Sequence, residues 1–324
     1  MSLSMSAALH RALAVALLAG GLVACGSTSQ DTAPGPVMAE FGSEPPAPGY
    51  TRFYTPSLTL APGESRIYAQ WVAPPAERDQ YVLDVRGKQT AGGHHALLHA
   101  TSITQPSGFT GDWPSEAHLT TRFLGGVPGP GGESFQLPEG AVFLLRKGES
   151  LVVQVHHMNP THAMREARSY LDVKLLDPTP NARVVALFNS TTLSFLLEPG
   201  RETSHHMNCR VREDLEILMY ANHMHELGSS ALTEAVYPDG ITSELKRDDV
   251  WDHEWGGIPN YTHAPAGTPL HIPAGTLLRT RCTWQNPGTQ TVRFPDEMCG
   301  FFGFFYSESD IQCTNEKWDS RTWP

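Results

Sequence analysis

The sequence predicts an all-β chain of two tandem antiparallel β-sandwich domains, jelly-roll-like in form. Three observations carry this. Apolar and polar residues alternate with a period of two, the runs are short, and Gly or Pro separates them. Residues 57–60 run into Ala61-Pro62-Gly63, and residues 66–72 into Pro74-Pro75. Residues 81–85, 141–145 and 151–155 follow the same plan, and few stretches carry the 3.6-residue stripe of an amphipathic helix. Asp177-Pro178-Thr179-Pro180 interrupts the pattern, which restarts at 183–188, 193–197 and 215–220 and closes with 277–283 and 301–306. The two sandwiches are therefore expected at 49–178 and 179–324.

The N-terminal segment reads as an export signal. Arg11 ends a short polar region, and residues 12–24 form an apolar run too short for a comfortable membrane span. The run closes Leu22-Val23-Ala24-Cys25, followed by Gly26-Ser27. This resembles a bacterial lipobox, which implies a lipoprotein signal peptide over 1–25 and lipidation of Cys25. An ordinary secretory signal is the alternative. By the same resemblance, Gly26 rather than Asp after the cysteine implies an outer-membrane location, with membrane contact only through the lipid. Residues 26–48, rich in Ser, Thr, Gly and Pro, read as a flexible linker.

The formal net charge of −11 argues against a nucleic-acid partner, since no basic stripe is there to neutralise phosphates. The chain has five cysteines. With Cys25 assigned to lipid, Cys209, Cys282, Cys299 and Cys313 remain, an even number in an oxidising compartment, and three pairings are open. All four lie in the second half, so the first domain must hold without bridges.

Chemistry is concentrated in the histidines. Among fifteen, three groups stand out: His94-His95 in GGHHALLHA, His156 in VVQVHHMNP, and His223-x-His225 in ANHMHELG. Met298 in FPDEMCGFF completes the set. On a strand, His223 and His225 would share a face as i and i+2. His94 and His95, being adjacent, share a metal only if the backbone bends, and Gly92-Gly93 supplies a bend. Imidazoles with one thioether are a donor set for copper in both oxidation states. Each group alone is weak, because most histidines, such as His99, His157 and His205, serve as surface or hydrogen-bonded core residues, and a lone Met in an apolar strand is usually core.

Together, and in this order, the segments resemble the copper type II, ascorbate-dependent monooxygenases, the family of peptidylglycine α-hydroxylating and dopamine β-monooxygenases. The resemblance runs from about residue 50 to 315 and rests on His94-His95, Val153-Gln154-Val155-His156 with Asn159-Pro160, His223-Met224-His225, and Asp296-Glu297-Met298-Cys299. It implies two coppers per chain. His94, His95 and His156 would hold an electron-transfer copper, and His223, His225 and Met298 an oxygen-binding copper. It further implies O2 and ascorbate or another one-electron reductant as co-substrates, a small organic substrate between the domains, and the disulfides Cys209–Cys313 and Cys282–Cys299. The family's peptide-carboxylate contacts fall here on Ala221, Gly300 and Phe302, which argues against a peptidylglycine substrate. Phe301, Phe302, Phe304, Phe305 and Tyr306 suggest an apolar wall, with alternate members in the core. The rival readings are a copper-storage or delivery lipoprotein and a surface binding module with incidental histidines. A zinc hydrolase is disfavoured, because Met298 is a poor zinc ligand and no carboxylate replaces it.

Overall fold

β-Branched and aromatic residues dominate the short runs, and strands form on them. The computed structural model describes residues 40–113, 120–129, 136–256, 259–294 and 296–321. The expected signal peptide, Cys25 and most of the expected linker lie outside the described residues. Strand occupies 55% of the chain and helix 2%, which is the all-β, sandwich-type architecture expected.

A five-stranded sheet has the order Thr110–Asp112, Ser65–Trp71, Ser150–Met158, Gly93–Thr101, Thr121–Pro128. Its central strand, Ser150–Met158, alternates cleanly. Leu151, Val153 and Val155 enter a buried cluster with Leu98, Leu124, Val82, Val85, Leu171 and Val173. Gln154 and His156 therefore point to the opposite face. An eleven-stranded sheet packs against this cluster through Gln80–Gln89 and Ser169–Leu176, then continues past the interruption at residue 178. There it passes from Ala141–Leu145 to Arg183–Thr192, Cys299–Tyr306 and Leu215–His223.

A four-stranded sheet of Arg201–Arg210, Leu277–Asn286, Gly228–Val236 and Thr242–Asp248 covers the second half. The core between them includes Phe188, Met207, Ile217, Trp284, Phe301 and Phe305. Both disulfides cross this core. Cys209–Cys313 and Cys282–Cys299 each join a strand of the four-stranded sheet to a strand of the large one. Each typically contributes about 2–4 kcal/mol.

The halves are not linked by a tether alone. Both cores lie in one compact unit, Phe41–Pro324. Arg183 and Val184 pair with Ala141 and Val142 in parallel, and residues 188–191 pair in parallel with Ile311–Thr314. Cys299–Tyr306 occupies the other edge of the same strand. Among the described residues pairing is thus antiparallel with two parallel exceptions. Val185, Leu218, Met219 and Phe304, all beyond residue 178, pack into the first core. The Phe304 ring lies 5.6 Å from both Phe123 and Phe143 and 5.8 Å from Tyr261. Phe304→Ala is therefore expected to destabilise by about 3–5 kcal/mol. An unchanged denaturation midpoint would remove its role at this junction.

Two expectations are corrected, and the position of Met298 is added to them. Residues 193–197 form no strand; only Leu197 bridges, to Val292, and Leu196 is 58% exposed. The strand carrying His223 stops there, leaving His225 beyond it. Met298 precedes the strand Cys299–Tyr306 rather than lying on it.

Candidate metal centre

The first histidine group is built by a β-bulge. In the pairing of Gly93–Thr101 with Ser150–Met158, Gly93 faces His157 and His95 faces His156, so His94 is an extra residue. A bulge re-aims side chains, and it brings two adjacent imidazoles to one place. Gly92 permits the bend: its φ is +88°, and a Cβ there would lie 2.3 Å from the Met158 carbonyl oxygen.

The result is a compact triad. Ring centroids are 5.3 Å apart for His94 and His95, 4.8 Å for His94 and His156, and 5.3 Å for His95 and His156. One candidate ligand atom from each lies within 4.8 Å of the others. His95 Nε2 donates to Gln154 Oε1 at 3.2 Å, which leaves its Nδ1 as the lone-pair nitrogen, 3.2 Å from His94 Nδ1. His156 Nε2 pairs with Ser65 Oγ at 2.9 Å. Burial pushes all three imidazoles below their ordinary range, His156 to about 4 with His94 as the next cause, and His95 well below that range with His156 and His94 as the next causes. Neutral imidazoles are the form that binds metal.

The second group stands on the end of Leu215–His223. His223 is buried, its ring stacked on Phe302 at 4.7 Å and 26°. Its Nδ1 has no hydrogen-bond partner, and burial followed by the neighbouring His225 pushes the ring well below the usual histidine range. Although His225 lies past the strand, its centroid is only 5.2 Å from that of His223. Met224 between them is fully buried, so the side chains still alternate. His225 Nδ1 donates to the Asp296 carbonyl at 3.1 Å, which turns Nε2 outward as the lone-pair nitrogen.

Glu297 replaces the missing ladder. Its buried carboxylate accepts from Leu227 N at 2.6 Å, His225 N at 3.0 Å, Trp284 Nε1 at 3.0 Å and Met298 N at 3.3 Å. One side chain thus fixes the turn that carries His225 and the backbone of Met298.

His95 and the second group open on a common space. A cavity of about 410 Å³ is lined by His95, His223, His225 and Met298, together with Phe302 and Phe304.

Residues 181–323 match the family model for the copper type II ascorbate-dependent monooxygenase, C-terminal domain. The match contains His223, His225, Met298 and all four bonded cysteines. The copper donor set fits this half chemically: two imidazoles, one with an orphaned buried nitrogen, and a thioether on the wall of one cavity. No curated protein matches the chain.

Among solved structures, one of the Sulfolobus turreted icosahedral virus is 10% identical with a TM-score of 0.21, covering 80% of this chain and 58% of its own. The infectious bursal disease virus VP2 subviral particle is 12% identical with a TM-score of 0.20, covering 80% and 72%. An oxalate decarboxylase of Bacillus subtilis is 8% identical with a TM-score of 0.14, covering 78% and 68%. Likeness at this level carries no argument. The chain spans a little over half of the first of these.

Several residues at the centre went unnoticed in the sequence. Glu297 and Gln154 appeared only within motifs, while Ser65 carried no signal. His99 was legible in principle, since it shares a strand face with His95 and Leu97 and lines the same cavity.

Proposed function

We propose that the chain is a dicopper monooxygenase, hydroxylating a C–H bond of a small organic substrate with O2 and a one-electron reductant such as ascorbate. The supporting observation is that His95 of the first histidine group, His223 and His225 of the second, and Met298 border one cavity, in a chain whose second half matches the copper monooxygenase C-terminal model. His94, His95 and His156 would hold the electron-transfer copper, and His223, His225 and Met298 the oxygen-binding copper. The chemistry that copper would supply is one-electron transfer and reduction of O2. The overall reaction converts R–H, O2, two electrons and two protons into R–OH and water, each reductant molecule giving one electron.

The protein's part is positioning. Hydrogen bonds at His95 Nε2 and His225 Nδ1 choose which ring nitrogen is free. Phe302 holds the plane of His223, and with Phe304 it keeps water from the cavity wall. The Met298 thioether, a soft donor, favours Cu(I). Cys25 would anchor the enzyme by lipid in a bacterial envelope, with the linker at 26–48 as its tether.

The test is to reconstitute the exported chain with copper and supply ascorbate, isotopically labelled O2 and a panel of small aromatic and aliphatic compounds. Labelled alcohol supports the proposal. Two bound coppers without reductant-dependent O2 uptake would instead favour the storage reading.

Glu297→Gln supplies a finer test. The amide has one acceptor oxygen for several buried N–H groups, so stability is expected to fall by about 1–3 kcal/mol. Copper affinity at the second site is expected to fall roughly 10–100-fold, with the first site unchanged. Equal affinities in an equilibrium copper titration would show that Glu297 does not position the site.

A further inference from the structure

One wall of the cavity is a face of the large sheet, four strands wide. Leu215–His223, Cys299–Tyr306, Arg183–Thr192 and Asp310–Thr314 lie side by side in that order. Phe188, Ile217, Phe301, Ile311 and Cys313 enter the core beneath them. By alternation, Phe302, Phe304, Asn189, Gln312 and Thr314 stand on the cavity face. Register sets this face in rows. Ala221, Phe302, Asn189 and Gln312 are partners in succession, and so are His223, Gly300, Thr191 and Thr314. Neighbouring strands lie about 4.8 Å apart, so the strand of His223 and the strand of Gln312 and Thr314 are separated by roughly 14 Å.

The chemistry changes along these rows. The near end is apolar: Phe302 stacks on His223, and Phe304 pairs with Leu187 in the next row. The far end is polar. Gln312 Oε1 accepts from Asn189 Nδ2 at 2.8 Å, and Asn189 Oδ1 is buried without a partner. Exchanging oxygen and nitrogen in both amides would keep that bond but bury an N–H instead, the rarer kind of orphan in protein interiors. Gln312 therefore turns its Nε2 to the cavity, where the atom stays accessible and has no hydrogen-bond partner among the described residues. Thr314, half-buried on the same strand face, adds a hydroxyl that is likewise open.

We propose that the cavity takes an elongated substrate whose apolar end lies over Phe302 beside the metal ligands and whose far end carries a hydrogen-bond acceptor, read by Gln312 Nε2 with Thr314 in support. The inference rests on the cavity being the monooxygenase substrate site, and it makes Gln312 a specificity-determining residue of that site. A carbonyl oxygen is the simplest such acceptor. A molecule only as long as the Phe302 ring leaves Gln312 unmet, because the strand of Asn189 lies between them.

The test measures binding of three probes to the copper-loaded chain by calorimetry: the dimethylamide of ω-phenylhexanoic acid, the dimethylamide of phenylacetic acid, and ω-phenylhexylammonium. The variant is Gln312→Glu, whose carboxylate still accepts from Asn189 Nδ2 but offers the cavity no N–H. The long amide is expected to bind it about tenfold more weakly than it binds the unaltered chain, the value of one good hydrogen bond. The short amide, which cannot reach, should bind both alike. The ammonium should bind the unaltered chain more weakly than the long amide and the variant more tightly, an inversion that a folding defect would not produce. With Cu(II) bound, the phenyl protons of the long amide should broaden in its NMR spectrum more than its N-methyl protons. Equal losses for the two amides, no loss for the long one, preference of the unaltered chain for the ammonium, stronger broadening of the methyls, or no binding of any probe would overturn the proposal. Copper content measured on the same samples distinguishes the two readings. The inversion in a chain that binds no copper would defeat the monooxygenase reading alone, and two coppers per chain without the inversion would defeat the Gln312 reading alone.

Discussion

Met298→Ala is expected to lower oxygen-dependent turnover by more than about a hundredfold while leaving Cu(II) loading close to wild type. Losing an outer-shell partner of a metal ligand already costs 10–100-fold, so loss of a donor should cost at least that much. The separation of the two readouts follows from donor chemistry. Cu(II) is held well by imidazole nitrogen, and His223 and His225 remain; Cu(I) gains most from the soft thioether. Packing does not confuse the outcome, because Met298 borders the cavity and belongs to neither core. Turnover within a fewfold of wild type would remove Met298 from the ligand set. A parallel loss of Cu(II) loading and turnover would give it a structural role instead.

His156→Ala is expected to reduce bound copper from two per chain to one. His156 is the cross-strand partner of His95, and its ring is 4.8 Å from that of His94, so its removal opens the triad. The two remaining imidazoles come from one bulge and cannot close around a metal from both strands. The second group draws its residues from Leu215–His223, the following turn and the segment before Cys299–Tyr306, and is expected to bind unchanged. His156 is half-buried and its Nε2 meets only Ser65, so the substitution spares the core face of the strand. Turnover should vanish with the first copper if that copper delivers electrons. Retention of two coppers per chain would show the ligand set to be wrong.

The strands were legible because their alternation is local. Leu151, Val153 and Val155 point to the core and Gln154 and His156 away from it, as a period of two requires. The bend before His94-His95 was legible for the same reason, since Gly92-Gly93 leaves few alternatives. His225 misled: Met224 is apolar, so the strand reads as continuing, and the Glu297 carboxylate that takes over from the ladder is seventy-two residues away. The segment 193–197 misled in the opposite way, being apolar enough for a strand but lacking a partner along its length. The parallel joining of Arg183 to Ala141 is a tertiary outcome that no periodicity encodes. The ligand sets and the disulfide pairs were read from resemblance; spacing alone left three pairings open. The structure holds Cys209–Cys313 and Cys282–Cys299, and groups His94 with His95 and His156.

The most direct measurement is copper K-edge X-ray absorption on the reconstituted, ascorbate-reduced chain, with metal content determined on the same sample. The account predicts two coppers per chain with mainly nitrogen scatterers and one sulfur shared over the pair, lost in Met298→Ala. Fewer than two coppers, or a wild-type spectrum without sulfur, would contradict it.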